Sequence, residues 1–463
     1  MSAKNKNFIS GFLVLAPYPI ILGAQIFFAN QLSVREVGLF AFFSLVLGVI
    51  FTATNWGGDK YIISKDSISR IEVDRVFSFE LALAFTLFLI YVAFLHENFI
   101  TYLGLEDSNY LLLAMGLCFC YHPLSRCKAL LERSKNFLYA YSPLFIANIL
   151  SLIIGYICLR NGLGLLSMII WKASSYIFEL LILFFLAPRI PRLSINFSLP
   201  PSAYAFCWPI FLGGLIGFIG TNADYYLVST FMGPEQLGIY WMAFSLSSIL
   251  LIFRDAITRL LLPILARKPS KADKIFLFKN LNGALQVAGV LSAIIITYAS
   301  EFLFTNILGD KWIESAIIFV VLFFAAVYKL IGGICGALLY SVMKTKIAFN
   351  VSALSIFILL PSTYIAIKVG GLTMVASAVL FSILIINLIV YETSIKKLSG
   401  HGFLNYFSYL SLNIFSLYLI SILLLNNYPD PSTKLLAFIF SISFSIITFP
   451  INNVLQRSKA LFT

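Results

Sequence analysis

Several charged side chains interrupt stretches of the sequence that are otherwise apolar. The cations are Lys172, Arg254, Arg259 and Lys329, and the acids are Glu179, Asp224 and Asp255. Burying an ionisable group in hydrocarbon is costly, so such a group normally faces a partner, a cavity or a passing charge. Cations without a neighbouring acid imply an anionic partner that comes and goes, or water.

One set of these residues forms a stripe along a single helix. Lys172, Ser175 and Glu179 follow each other at spacings of three and four residues, which places them on one face. Seven residues span about 10 Å along a helix axis, a poor distance for direct pairing. The spacing therefore favours a stripe that lines a cavity, and mutual neutralisation of Lys172 and Glu179 is the alternative.

A second face combines small residues with an acid. Gly213, Gly217, Gly220 and Asp224 recur at helical spacing, and Asn222 stands two residues before the acid. Small-residue faces usually pack closely on another helix, which would shield Asp224 from lipid. Asp224 is then either a cavity or coupling residue or a structural hydrogen-bond acceptor.

The remaining cations differ in their local partners. Asp255 and Arg259 are four residues apart and can pair directly, although Arg259 could also extend its side chain to the cytoplasmic interface. This predicts that Arg254 lacks a local partner, and no acid lies within a turn of Lys329. Lys172, Arg254 and Lys329 fall at outer, inner and middle depth, which suggests a path for an anion.

The elements that carry these residues are membrane helices. Of 463 residues, 60% are hydrophobic and only 11% are charged, and the mean hydropathy is +0.94. Soluble domains carry about 25% charged residues, so this chain could not cover itself with polar surface. Continuous rather than alternating apolar runs predict an all-α polytopic membrane protein.

The apolar runs predict fourteen transmembrane spans, each about 20 residues long. They cover 8–30, 38–57, 77–95, 109–127, 138–158, 164–187, 204–231, 237–262, 280–303, 314–338, 347–367, 371–391, 403–425 and 435–455. The first run is too long for a signal peptide and is interpreted as the first span.

The basic residues support this number of spans. With the N-terminus inside, cytoplasmic segments hold 23 of the 32 lysines and arginines and external loops hold 5. This asymmetry is what the positive-inside rule requires, and it predicts that both termini are cytoplasmic. The net charge of +12 then reflects orientation and contact with anionic membrane lipids, so no nucleic-acid partner is predicted.

The chain also contains an internal repeat. Val37-Gly38-Leu39-Phe40 and Leu237-Gly238-Ile239-Tyr240 open apolar runs that lie 200 residues apart. Because six crossings separate the first and seventh spans, the halves would be parallel repeats with a central cavity between them. The predicted domains are a six-helix bundle over 1–199, a second over 200–397 and two additional helices over 398–463.

The cysteines and histidines point to no cofactor. The six cysteines lie in or beside apolar runs without metal-ligand spacing, and the three histidines are scattered. We therefore predict no metal and no cofactor.

The repeat openings, the Asn222-x-Asp224 motif and the lengths of the runs resemble the polysaccharide-transport branch of the multidrug/oligosaccharidyl-lipid/polysaccharide exporter superfamily. The resemblance covers the whole chain as a pattern and is nearest in character to bacterial O-antigen flippases. It implies movement of an undecaprenyl-pyrophosphate-linked oligosaccharide, an O-antigen or capsule repeat unit, from the inner to the outer leaflet of the cytoplasmic (inner) membrane.

The resemblance also implies roles for particular residues and partners. Lys172, Arg254 and Lys329 match the cavity cations that receive the pyrophosphate and acidic sugars. Coupling to protons or sodium ions and contact with the polymerase and chain-length regulator of the pathway follow from the same resemblance. Absence of a clear cation from the first five spans makes this cavity less basic than the family pattern.

Two other functions remain open from the sequence. A cation-coupled drug exporter of the same fold would not need unpaired cations. An O-antigen polymerase or other membrane enzyme would need a long external loop, and the longest one here offers His96, Glu97, Glu106 and Asp107 without metal or helical spacing. The sequence therefore favours a transporter over an enzyme.

Overall fold

A computed structural model describes residues 15–65, 67–105, 108–194, 198–267, 270–342 and 345–399. Every regular element within these residues is a helix. By its internal contacts the chain divides into two compact units, unit 1 up to Asn222 and unit 2 from Ala223. The division falls inside a helix, whereas the predicted boundary between 199 and 200 precedes that helix.

Unit 1 is built around helical pairs that pack along their length. The α8–α9 hairpin is its most extensive contact, α9 also packs on α2 and α6, and the short α3 packs on α7. Its helices are α1 (Pro17–Gln31), α2 (Val34–Thr54), α3 (Gly58–Ser64), α4 (Arg70–Phe94), α5 (His96–Leu103), α6 (Ser108–Leu124), α7 (Arg126–Arg133), α8 (Phe137–Arg160), α9 (Leu165–Leu186) and α10 (Pro201–Phe231), which continues into unit 2.

Unit 2 is organised around one central helix. Its helices are α11 (Pro234–Ser247), α12 (Ile249–Arg267), α13 (Lys271–Phe302), α14 (Ile313–Ser341), α15 (Thr345–Val369) and α16 (Gly371–Ser399). Helix α14 packs on all five of the others. It is apolar on all sides, as a helix enclosed by neighbours must be, and Lys329 interrupts that apolar surface.

Each of the first twelve predicted spans coincides with helical structure. Span 237–262 covers α11 and α12, which are separated only by Ser248, a residue with helical backbone angles, and span 109–127 covers α6 and the first residues of α7. The last two predicted spans, 403–425 and 435–455, lie outside the described residues. Within the described residues, seven helices are long and apolar enough to cross a membrane, and further apolar helical stretches are shorter.

The two repeat openings adopt the same local structure. A two-residue connection joins α1 to α2 and, 200 residues later, α10 to α11. Ser33 and Glu36 cap α2 reciprocally, whereas α11 starts at Pro234 after Gly233, whose φ is +87°. Different capping residues thus start equivalent helices.

Candidate functional site

Lys329 lies in the interior of unit 2 beside a small cavity. The cavity is lined by residues of α11, α12, α14 and α16: Phe244, Ser247, Ser248, Leu251, Leu322, Ala325, Ala326, Lys329 and Val379. Among these lining residues Lys329 carries the charge, and its Nζ is 6.0 Å from the ring centroid of Phe244. Ser248, the single residue between α11 and α12, also lines this cavity.

Asp224 is almost completely buried, with 2% of its surface exposed. The Tyr240 hydroxyl donates a 2.6 Å hydrogen bond to Asp224 Oδ2, while Oδ1 has no hydrogen-bond partner within the described residues. The ring of Tyr225 packs edge-on against Tyr240 and against Phe244. Asp224 and Lys329 interact electrostatically, so the tertiary structure supplies Lys329 with an acid, whereas none lies within a turn of it on its own helix.

The polar pair is confined to the second repeat. Counting back 200 residues from Asp224 and Tyr240 leads to Ala24 and Phe40, which are equally buried at 2% and 1% exposure. Both members of the pair therefore differ together, and the first repeat has two buried apolar residues where the second has an acid and a hydroxyl. The same offset of 200 residues relates the connections and the helices that flank them in the two repeats. The correspondence therefore requires no insertion or deletion.

The expectation that Arg254 lacks a local partner is wrong. Its Nε and one terminal nitrogen contact Asp255 Oδ1 at 2.9 and 2.8 Å. Adjacent Cβ atoms on a helix do not face each other, but an arginine is long enough to reach the next residue. Asp255 is about half exposed, and the side chain of Arg259, its predicted partner, lies outside the described residues.

The stem of Arg254 is fixed by a glycine on the central helix. A Cβ added to Gly333 would lie 2.7 Å from Arg254 Cγ, so only glycine leaves room for this side chain. The neighbouring Gly332 similarly admits the Asn387 amide, which donates to the backbone oxygen of Tyr328 at 2.9 Å. The glycines that follow Lys329 thus let α12 and α16 approach α14. Arg254 also interacts electrostatically with Lys329.

The stripe on α9 in unit 1 is divided between two environments. The Lys172 Nζ is 5.4 Å from the ring centroid of Tyr176 and 5.9 Å from that of Trp171. Ser175 donates to the backbone oxygen of Lys172. Lys172 and Glu179 therefore do not form a direct pair, as the helical spacing indicated.

Glu179 has partners from other helices. It is fully buried, accepts a 2.5 Å hydrogen bond from the Tyr121 hydroxyl and lies 3.3 Å from Lys128 Nζ. Its charge is therefore matched by Lys128, which the sequence places in a cytoplasmic segment. The described geometry is that of a buried ion pair.

A buried ionic cluster in unit 1 was missed by the sequence analysis. Arg126 is 2% exposed and makes a bidentate ion pair with Glu80, which is 1% exposed. Asp59 lies 3.6 Å from the same guanidinium, and the Gly58 amide donates to Glu80. Glu80 falls inside the predicted span 77–95, so a complete count of acids in the spans would have found it. Its partner Arg126 lies at the end of the predicted span 109–127 and was counted among the basic residues of a cytoplasmic segment.

The glycine face of α10 does not pack as predicted. A Cβ added at Gly213 or Gly217 would meet no heavy atom of the described residues within 4 Å, so these glycines make no close contact with a described helix. Asp224 is nevertheless shielded, because the next turns of α10 are buried and Tyr240 covers it. Asn222 donates to the backbone of its own helix at Phe218, a local contact that leaves its role in the site a prediction.

No group of three histidine, cysteine or acidic residues that could hold a metal occurs in the part of the chain that the structure describes. The charged groups fall into two sets, one in each unit. Asp224, Arg254 and Lys329 lie together in unit 2, and Lys172 and Glu179 belong to α9 in unit 1. In the second set Glu179 pairs with Lys128 and Lys172 lies against aromatic rings, whereas Lys329 lines a cavity.

The sequence matches the family described as polysaccharide biosynthesis protein over residues 28–317. It is 26% identical over 164 residues to the teichuronic acid biosynthesis protein TuaB of Bacillus subtilis, and the match spans about a third of each chain, 35% of this one and 34% of TuaB.

Solved structures show the same fold at low identity. The lipid II flippase MurJ in an inward closed conformation matches with a TM-score of 0.71 at 15% identity, over 98% of this chain and 100% of MurJ. An inward-facing multidrug resistance MATE transporter matches at 0.62 and 14% identity, over 84% and 95%. A mutant of the Vibrio cholerae MATE transporter VcmN matches at 0.59 and 14%, over 86% and 97%. The fold is that of multi-pass membrane transporters and flippases rather than of an enzyme.

Proposed function

The chain belongs to the polysaccharide biosynthesis protein family, and on that premise we propose that it is a flippase for a lipid-linked oligosaccharide. The proposed cargo is an undecaprenyl-pyrophosphate-linked repeat unit, moved by alternating access from the inner to the outer leaflet of the bacterial cytoplasmic membrane. The polysaccharide family and the fold shared with a lipid II flippase both support this assignment.

The observation that carries the proposal is the cavity beside Lys329. A pyrophosphate would be costly to bring into hydrocarbon without a cation to accompany it. Lys329 projects from the central helix of unit 2 and has a cavity beside it rather than a direct ion-pair contact. We assign Lys329 to the phosphate groups of the cargo.

Arg254 can join Lys329 because its present partner holds it weakly. The Asp255 carboxylate is more than half exposed, and exposed ion pairs contribute only about 0–1 kcal/mol. The Cγ and Cδ atoms of Arg254 lie against Gly333, which keeps the guanidinium near the central helix while it exchanges partners. Lys172, in unit 1, is assigned the same role at another depth.

Asp224 is the residue we assign to coupling. When cargo phosphate engages Lys329, the buried Asp224 loses part of its counter-charge and gains affinity for a proton or a sodium ion. Its free Oδ1 has no competing hydrogen bond. Glu179 is less suited to this role because Lys128 and Tyr121 already satisfy it.

The repeat unit is proposed to belong to an O-antigen or capsule polymer. The similarity to TuaB, a teichuronic acid biosynthesis protein, adds teichuronic acid to these candidates. We propose that both termini face the cytoplasm, as the basic residues predict. The polymerase and chain-length regulator of the same pathway are proposed partners.

A cation-coupled drug exporter is the second candidate, because MATE transporters share the fold. The charge at the cavity argues against a cationic drug, which Lys329 and Arg254 would repel. A neutral drug would not require either side chain.

Reconstituted protein tests the assignment of Lys329. We expect proteoliposomes with wild-type protein to move an undecaprenyl-pyrophosphate-linked disaccharide between leaflets, and Lys329→Ala to lose most of that activity. Lys368→Ala, which removes an exposed lysine from α15, is the matched control and should transport normally. Full activity of Lys329→Ala at equal protein level would remove the cavity assignment.

A further inference from the structure

An aromatic surface occupies the start of α10 in unit 1. The Trp56 ring, which follows α2, stacks on Phe211 at 4.7 Å and 11° and contacts Trp208 at 5.5 Å. Tyr204 and Trp208 lie one helical turn apart with nearly parallel rings, 6.1 Å between centroids and 10° between planes. Although they belong to this cluster, Tyr204 is 49% exposed and Trp208 39% exposed. We call Trp56, Tyr204, Trp208 and Phe211 the aromatic surface.

The position of Trp56 beneath this surface is fixed by its neighbours. Gly57 has a φ of +86°, and an added Cβ would lie 2.9 Å from Ile210 Cγ2, so glycine alone lets this turn approach α10. Phe79 packs edge-on against Trp56 from α4. The two exposed rings therefore rest on a rigid base.

Polar groups accompany the aromatic rings. Trp56 is 9% exposed, and its indole N–H has no hydrogen-bond partner within the described residues. Three residues later, Asp59 is one-third exposed and pairs only at 3.6 Å with Arg126. The indole N–H is covered by its neighbours, so the partly exposed Asp59 carboxylate is the polar group that a ligand can reach here.

We infer that the aromatic surface binds a sugar ring of the lipid-linked cargo on its entry side, an inference that rests on the proposed function. A pyranose has C–H groups on its faces and hydroxyls around its rim. Its faces pack on exposed aromatic rings, and its hydroxyls can donate to the partly exposed Asp59 carboxylate. Two parallel rings one helical turn apart can accommodate successive sugars.

The location supports a sugar rather than a lipid occupant. Aromatic side chains at a membrane interface usually anchor a helix singly, with the polar tip toward the headgroups. Here the rings come from two segments of the chain and stack on one another over a buried tryptophan. The basic residues assign this end of α10 to the cytoplasm, the side on which the proposed flippase receives its cargo.

Binding to two lipids tests the inference directly. Purified protein in phosphatidylglycerol nanodiscs is titrated with undecaprenyl pyrophosphate and with the same lipid carrying a disaccharide of N-acetylglucosamine and glucuronic acid. We expect Tyr204→Leu combined with Trp208→Leu to weaken binding of the sugar-bearing lipid about tenfold and to leave binding of the bare lipid unchanged.

Two further variants control for folding and for membrane anchoring. Tyr226→Leu combined with Phe185→Leu removes two other exposed aromatic rings and should change neither affinity. Tyr204→Phe combined with Trp208→Tyr keeps two ring faces and should retain most of the preference for the sugar-bearing lipid.

Three results would overturn the inference. Unchanged affinity of the leucine variant for both lipids would show that the surface binds no sugar, while leaving the flippase intact. Equal weakening for both lipids would indicate a structural or anchoring role. Failure of wild-type protein to bind either lipid would overturn the proposed function itself.

Discussion

Asp224 accepts a side-chain hydrogen bond from the Tyr240 hydroxyl. Removing that hydroxyl in Tyr240→Phe takes a donor from a carboxylate that is 2% exposed, a loss of about 1–3 kcal/mol in stability. We expect this variant to melt at a lower temperature and to transport less. Tyr328→Phe is the matched control, because that buried hydroxyl has no hydrogen-bond partner within the described residues, and it should change neither property.

The first repeat suggests a double variant for the same measurements of stability and transport. Asp224→Ala together with Tyr240→Phe gives the second repeat the residue types of Ala24 and Phe40 in the first. If the acid serves coupling, this double variant should regain thermal stability but remain defective in transport. Recovery of transport together with stability would show that Asp224 is only structural.

Sequence reasoning identified the charges of the site better than their partners. Asp224, Arg254 and Lys329 were found because ionisable residues stand out in apolar runs. Their partners were missed where they come from distant parts of the chain, as Tyr121 does for Glu179. Arg126 was misplaced because a basic residue near the end of a span usually belongs to a loop.

At the scale of elements, close packing depends on particular glycines. Gly155 on α8 would place an added Cβ 2.7 Å from Phe28 and from Trp171, whereas Gly217 on α10 has no neighbour within 4 Å. We expect Gly155→Ala to reduce stability by about 1–3 kcal/mol, because the crowded aromatic rings must move. Gly217→Ala should be neutral or slightly stabilising, since alanine favours a helix over glycine.

Thermal unfolding in detergent, followed by loss of monodisperse protein, measures both glycine variants. A large loss of stability in Gly217→Ala would mean that this face packs closely, as the small-residue spacing had predicted. Normal stability of Gly155→Ala would show that α8 and α1 can separate without cost.

The elements themselves were largely predictable. Hydrocarbon offers no hydrogen bonds, so each long apolar run must form a helix, and the described residues of the first twelve predicted spans are mostly helical. The predicted number of fourteen spans stays a prediction, since seven of the described helices are long and apolar enough to cross a membrane. The prediction that Gly213 and Gly217 pack closely on another helix was wrong. Spacing shows which residues share a face of a helix, but not what lies opposite that face.

At the scale of the whole molecule, the orientation of the chain is a prediction from its basic residues. Single cysteines in a cysteine-free background test it with a membrane-impermeant thiol reagent added outside. Cysteines replacing Asn98, Asn161, Glu235, Asp310 and Asn427 should react, and those replacing Lys65, Lys135, Lys271 and Lys396 should not. A reversed pattern after residue 187 would show that the predicted number of spans is wrong.

The direction of cargo movement tests the central claim most directly. Cells that lack the gene are pulse-labelled with radioactive sugar, and the lipid-linked oligosaccharide in each leaflet is measured with a sided assay. A flippase predicts that the lipid-linked unit is made but remains in the inner leaflet, and that surface polysaccharide is lost. Normal arrival of the unit in the outer leaflet, followed by failure to lengthen it, would contradict the flippase and indicate a polymerase.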